Sequence, residues 1–248
     1  MLPSFTPGQW VIAALSALCI GVNKSGLPGL SLLYVATFAQ LFPGQASTGV
    51  VLPMLVAGDI SAVCLYRRQA EWRYIVRTLP IALGGVVLGW ILMRALPDWD
   101  FRRIIGGIVL ALVLVQLARH WRPAWFVQLP HSPVFALGMG LSAGVTTMVA
   151  NAAGPVMGVY FLVVGLAKDG FVGTMSWFFL ILNLFKLPFS WQLGLIQPQS
   201  LAFNALFVPL IVGGVFLGRW LIARLAQKTF DTLVLGFAAV AAAKLLWG

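Results

Sequence analysis

The chain has 248 residues, 60% of them hydrophobic and only 9% charged, with sixteen Lys and Arg against six Asp and Glu for a formal net charge of +10. A mean hydropathy of +0.96 excludes a soluble domain of this length, and the absence of short alternating segments excludes a membrane β-barrel. The cations do not point to nucleic acid, because they sit mainly in short loops, the pattern that orients membrane helices. Several apolar runs approach or exceed the ~18 residues that signal a membrane span, so the fold class is an all-α polytopic membrane protein.

The first apolar run, Trp10 to Ile20, leads into Gly-Val-Asn-Lys-Ser-Gly-Leu-Pro-Gly-Leu from Gly21 to Leu30, and a second run follows to Phe42. No signal peptide is expected, since the start lacks a basic region and this run leads into a break rather than a cleavage site. Fifteen helical residues cover about 22 Å against a hydrocarbon core of roughly 30 Å, so each run is short for a span. Three glycines and a proline predict an interrupted helix there, and its Asn23, Lys24 and Ser25 are left at membrane depth. Irregular backbone at that depth is tolerated only where it is buried in protein or lines a cavity, and transporters build substrate sites from such broken helices.

After Pro43-Gly44, spans are predicted at 48–66, with Asp59 and Pro53 inside, at 74–96, with Pro80 and a Gly84-Gly85 to Gly89 face, and at 104–118, with 97–103 a turn. The basic and aromatic stretch 119–132 is the midpoint. A second apolar run, 133–149, breaks at Asn151-Ala-Ala-Gly154-Pro155 and resumes over 156–166. Spans follow at 171–195, interrupted by Asn183, Lys186 and Pro188, at 201–226, with Pro209 and Gly213-Gly214 to Gly218, and at 230–246. Cys19 and Cys64 both lie in apolar segments, so no disulfide is expected. Trp10, Trp72, Trp99, Trp121, Trp125, Trp191 and Trp247 fall near segment ends, as interfacial anchors do.

The halves repeat. Asn23 and Gly26 recur 128 positions later as Asn151 and Gly154, and Pro80, Gly84, Gly85, Val86, Leu88 and Gly89 recur 129 positions later as Pro209, Gly213, Gly214, Val215, Leu217 and Gly218. The expected division is a first repeat over 1–120 (hairpin 9–42 and three spans), a connecting loop 121–132, and a second repeat over 133–248 (hairpin 133–167 and three spans). Charge decides how they are related. Arg67, Arg68, Arg73 and Arg77 load one connection, Arg119 and Arg122 the midpoint, and Arg219, Arg224 and Lys228 the last loop. All three fall on the cytoplasmic side if each broken segment is a hairpin that enters and leaves on one face. The two halves are then inverted, whereas a parallel repeat with continuous broken helices is the alternative and puts the Arg67 and Lys228 loops on opposite sides.

Three ionisable residues lie far from segment ends: Lys24, Asp59 and Lys186. Charge inside a membrane is costly and faces a cavity, a partner or a pathway. Two cations to one acid favours an anionic substrate, with Asp59 answering a lysine or carrying a coupling proton. The same residues also fit a structural ion pair, Asp59 with Lys24 or Lys186. The candidate substrate-binding set is Asn23, Lys24, Ser25, Gly26, Thr146, Thr147, Asn151, Gly154, Asn183 and Lys186. Hydroxyls, amides and exposed backbone N–H groups at half-helix N-termini suit the oxygens of an oxyanion, while Asn23 and Asn151 also suit capping of the broken ends. Gly140-Leu-Ser142-Ala-Gly144 matches a nucleophile-elbow string, but it has no strand-to-helix context or partnered base. No Cys/His cluster supports a metal, no phosphate-cradling Gly-Lys-Ser/Thr loop supports ATP hydrolysis, and no catalytic residue or cofactor is expected.

The broken segment from Gly21 to Gly29, the Gly58-Asp59 pair, the Pro80 to Gly89 helix and their counterparts around Asn151, Gly154-Pro155 and Pro209 to Gly218 resemble the TauE/SafE family of bacterial sulfite exporters and organosulfonate permeases. The resemblance spans the chain. It implies a duplicated helical module that is not an enzyme and that moves sulfite, sulfoacetate or a related anion across the inner membrane. The second break has Ala152-Ala153 where the first has Lys24-Ser25, so any second cation comes from Lys186. An anion channel and a non-transporting accessory membrane protein are the alternatives. The expected partners are the anion and the lipid bilayer, with a coupling proton or sodium and a homodimer left open and no nucleic acid.

Overall fold

The computed structural model describes residues 5–42, 44–95, 98–122, 124, 132–222 and 224. Among them are nine α-helices and no strand: α1 Pro7–Lys24, α2 Leu30–Leu41, α3 Ala46–Tyr66, α4 Trp72–Ala95, α5 Asp98–Trp121, α6 Pro133–Ala150, α7 Ala153–Val163, α8 Lys168–Gln192 and α9 Pro198–Ile222. Five of these (α3, α4, α6, α8 and α9) are long and apolar enough to cross a membrane, and the chain is a multi-pass membrane protein. The span expected at 230–246 lies outside the described residues, as do Lys228 and most of the midpoint loop.

Both broken segments start alike. The Thr6 side chain accepts from the Gln9 N–H and Gln9 answers the Thr6 N–H, a capping box ahead of Pro7. The Ser132 hydroxyl accepts from the Phe135 N–H at 3.1 Å ahead of Pro133. Their interruptions are narrower than the composition suggests. α1 stays helical through Gly21, so Asn23 and Lys24 occupy its last turn and the break shrinks to residues 25–29, where Gly26 has a φ of 115°. In the second segment only Asn151, left-handed at φ 54°, and Ala152 leave the helix. Pro155 falls in the first turn of α7, where its missing N–H costs no helical bond. α5 begins at Asp98 and absorbs the stretch read as a turn, since no glycine or proline follows Pro97 until Gly106. Pro53, Pro80, Pro188 and Pro209 all lie inside continuous helices. Helix-breaking residues are tolerated at membrane depth where neighbours re-satisfy the freed backbone.

Glycines set the helix packing. A Cβ on Gly21 would overlap the Ile211 carbonyl oxygen and lie 2.8 Å from Gly214 Cα, which brings α1 and α9 into backbone contact. A Cβ on Gly144 would overlap the Ala82 carbonyl oxygen and lie 2.7 Å from Gly85 Cα, which does the same for α6 and α4. Small residues are what let membrane helices approach this closely, since apolar side chains gain nothing over lipid by association. The two crossings use corresponding residues: Ile211, Gly214 and Val215 in one, Ala82, Gly85 and Val86 in the other. α3 and α8 cross between these pairs. Gly49 of α3 passes against Leu195, and Gly173 of α8 against Tyr66 and Ala70.

α1 and α6 approach α3 from opposite ends. Phe5, ahead of α1, packs 5.5 Å from Phe42 near the start of α3, and α1 then climbs past Gly58 towards Tyr66. The tip of α6 instead reaches the start of α3, where Asn151 donates to the Thr48 carbonyl at 2.9 Å. Arg219, near the end of α9, stacks 5.7 Å from the Tyr66 ring, so the Arg67 and Arg219 connections share one face.

Substitution at these glycines tests the packing. Gly21→Ala and Gly144→Ala are expected to lower the detergent unfolding temperature, with an overpacking cost of about 1–3 kcal/mol or more. Gly84→Ala and Gly213→Ala, whose added Cβ meets nothing within 4 Å, are expected to leave it unchanged or raise it.

Candidate functional site between the two breaks

The interruptions meet. A Cβ on Gly154 would lie 3.0 Å from the Pro28 carbonyl oxygen and from Ser31 Oγ, and one on Gly158 would lie 3.0 Å from Pro28 Cγ, so the glycine face of α7 seats the loop of the first break. The carbonyls freed by that break are met locally. Asn23 Nδ2 donates to the Leu27 carbonyl at 2.9 Å, Ser25 Oγ to the Val22 carbonyl at 2.7 Å, and Ser31 Oγ to the Pro28 carbonyl at 2.7 Å. At the second break Asn151 and Ala152 close the end of α6 through their N–H groups, onto the Thr147 carbonyl at 3.0 Å and the Thr146 carbonyl at 3.3 Å. With no water to hydrogen-bond them, these groups need protein partners.

The three buried charges gather at this junction. Lys24 Nζ lies 2.7 Å from Asp59 Oδ1, and its ammonium sits 5.1 Å from the centre of the Phe179 ring. The other carboxylate oxygen accepts from Asn183 Nδ2 at 2.7 Å. Gly58 gives the lysine stem its room, since a Cβ there would lie 3.1 Å from Lys24 Cγ. Asp59 and Asn183 stand in matching places, each ten residues after a close-packed glycine, Gly49 and Gly173. Lys186 donates to the Thr147 carbonyl at 2.7 Å, the Thr147 hydroxyl at 3.2 Å and Asn151 Oδ1. Those three acceptors are neutral. Asp59 is 0% and Lys186 1% exposed, and the Lys24 side chain 7%. Among the described residues, the cluster sets two lysines against one acid.

A cavity opens against this cluster, lined on the polar side by Asn23, Lys24, Asp59, Thr147, Asn151 and Asn183, with Gly26 and Gly154 bringing the two breaks to its edge. The space open to the centre of a water-sized sphere is about 20 Å³, room for about one water. Asn183 Oδ1 is buried with no partner among the described residues.

Most of the residues expected from sequence therefore converge, but two do not. Ser25 turns under Gly218 of α9 and faces a different cavity. Thr146 bonds back to the Ser142 carbonyl of its own helix at 2.7 Å, one position away from Thr147, which faces the site. Lys186 stands behind the wall and acts on the cavity through Thr147 and Asn151. Tyr34, Leu55, Met175, Ser176 and Phe179 complete the lining; sequence reasoning missed them because uncharged side chains of these kinds are ordinary in apolar helices and carry no contrast.

The Lys24–Asp59 pair generates a stability test. Removing one partner leaves the other charge buried and uncompensated, which costs about 3–5 kcal/mol. Asp59→Leu alone is expected to lower detergent stability sharply, and the Lys24→Met/Asp59→Leu pair to recover most of it. A double variant no more stable than the single one would contradict the pairing.

The family model for the sulfite exporter TauE/SafE family matches residues 13–245 of the chain. No curated protein and no solved structure matches it. The match takes in both breaks, every charged residue at their junction and all four crossing glycines, and the family consists of membrane transporters for sulfite and organosulfonates rather than enzymes. The chain belongs to the sulfite exporter TauE/SafE family.

Proposed function

We propose that this protein is a secondary active transporter that carries a small sulfur-containing anion (sulfite, sulfoacetate or another organosulfonate) across the bacterial inner membrane, bound between the two breaks. The observation that carries the reading is the convergence of two lysines on one acid at their junction, Lys24 and Lys186 with Asp59. Lys24 reaches the cavity wall directly and answers the anion. Lys186 supplies the second charge and fixes Thr147 and Asn151. Asp59 holds Lys24 in place until the anion competes for it.

The two halves act as inverted repeats, 1–120 and 133–248, joined through 121–132. Three features support this: the corresponding Gly21–Gly214 and Gly144–Gly85 crossings, the opposite approaches of α1 and α6 to α3, and the shared face of Arg67 and Arg219. The charge rule makes that shared face cytoplasmic. A cavity with room for about one water admits a sulfite-sized anion only if packed elements move, which favours alternating access over a standing pore.

Counterflow in proteoliposomes tests the proposal. Sulfite preloaded inside is expected to accelerate uptake of labelled sulfite, as a carrier does and a channel does not. Lys24→Ala and Lys186→Met are each expected to slow exchange about 10- to 100-fold, the size of one lost charge-assisted hydrogen bond. Unchanged exchange in both variants would overturn the assignment of the site, and flux without counterflow would make the protein a channel.

A further inference from the structure

The central cavity is flanked along α3 by two others of unequal size. Towards the start of α3, where Asn151 meets Thr48, the space open to the centre of a water-sized sphere is about 10 Å³. Towards its end it is about 230 Å³, in a cavity walled by Ser25, Tyr66, Gln69, Lys168, Asp169 and Arg219. The same helices line both this larger cavity and the central one. α1 gives Lys24 to the inner space and Ser25 to the outer, α3 gives Asp59 and then Tyr66, and α8 gives Ser176 and, one turn earlier, Val172. Ser25 is 0% exposed and forms the inner limit, wedged beneath Gly218, while Lys168, Asp169 and Arg219 stand exposed at the mouth.

From this arrangement we infer that the outer cavity is a second binding site for small oxyanions, a vestibule on the Arg67–Arg219 face that collects the anion and passes it to Lys24 beneath the Ser25–Gly218 contact. Among the described residues of its walls, Lys168 and Arg219 stand against one carboxylate, Asp169. Arg219 is held over the Tyr66 ring, 5.7 Å from its centre, so its guanidinium is positioned as well as charged. A planar fork of donors matches an oxyanion's oxygens better than a lysine does.

The passing of the anion inward rests on the transport reading above; the binding at Arg219 does not. Calorimetric titration of sulfite into the full-length protein, in nanodiscs of zwitterionic phosphatidylcholine, separates the two. Wild type is expected to show a tighter and a weaker component. Arg219→Gln should weaken the second about fivefold, the effect of losing one unit charge roughly 4 Å away in water, and Arg219→Lys should restore part of it. Lys24→Ala should remove the tighter component and leave the weaker one. Proteoliposomes should show a raised KM for sulfite on the vestibule face in Arg219→Gln at unchanged maximal rate. A single component, lost in Lys24→Ala and unmoved in Arg219→Gln, would overturn the vestibule while leaving the central site standing. Two components without transport would leave binding at Arg219 in place and overturn both the carrier and the inward passage. A weaker component that appears only with anionic lipid would assign the cavity to headgroups and overturn the vestibule.

Discussion

Asp59 is the constraint on which the rest depends. A carboxylate with no exposure, inside a membrane-spanning helix, needs a partner on each oxygen, and it draws them from both halves of the chain: Lys24 from the first broken segment and Asn183 from α8. Holding Lys24 there requires α1 to end beside α3, where Gly58 leaves the lysine stem room that a Cβ, 3.1 Å from Lys24 Cγ, would crowd. Holding Asn183 there requires α3 and α8 to cross at matching heights. Lys186, one turn beyond Asn183 on α8, is then placed to reach Thr147 and Asn151 at the second break. The polar junction is thus a single connected structure. Buried charge is costly in lipid, and this cluster recovers part of the cost through its ion pair and hydrogen bonds.

The glycine crossings make that convergence possible. With backbones in contact at Gly21–Gly214 and Gly85–Gly144, each broken segment is anchored to a long helix of the other half. In the carrier proposed above, motion of one broken segment would carry its partner helix with it. The lining that closes the cavity, Phe179 and Met175 on α8 and the Asn23–Gly26 tip, sits between those two anchored pairs. Such pairs around a small polar junction suit the rocking that the proposed carrier needs, because their backbone contacts could persist while the junction opened.

Much of this was legible in the sequence. Lys24, Asp59 and Lys186 stand out because an ionisable side chain is costly in an apolar run unless it meets a partner or a cavity, and the recurrence of Asn, Gly and Pro at fixed offsets exposes the two breaks. The width of the breaks was not legible. Gly21 reads as a helix breaker, but at membrane depth the backbone keeps its own hydrogen bonds, and the glycine serves the contact with α9. The glycine faces were readable as packing surfaces, whereas their partners in the other half were not, since the motif is the same for contacts within a chain and between chains. Ser25 and Thr146 show the limit of reading by adjacency. Each neighbours a residue on the cavity wall, and one step along a helix turns the side chain by about 100°, away from the site. Tyr34 and Phe179 had no signal at all.

The central claim is that an anion occupies the junction between the two breaks, beside Lys24. Selenite reproduces the shape and charge of sulfite and adds a strongly scattering atom, so a structure of the full-length protein with selenite, phased for the selenium signal, tests the claim most directly. The account predicts a selenium peak within contact distance of Lys24 Nζ and Asn151, with the Asn23–Gly26 tip displaced to make room. Saturating selenite that leaves the junction as it is, with no peak there, would contradict it.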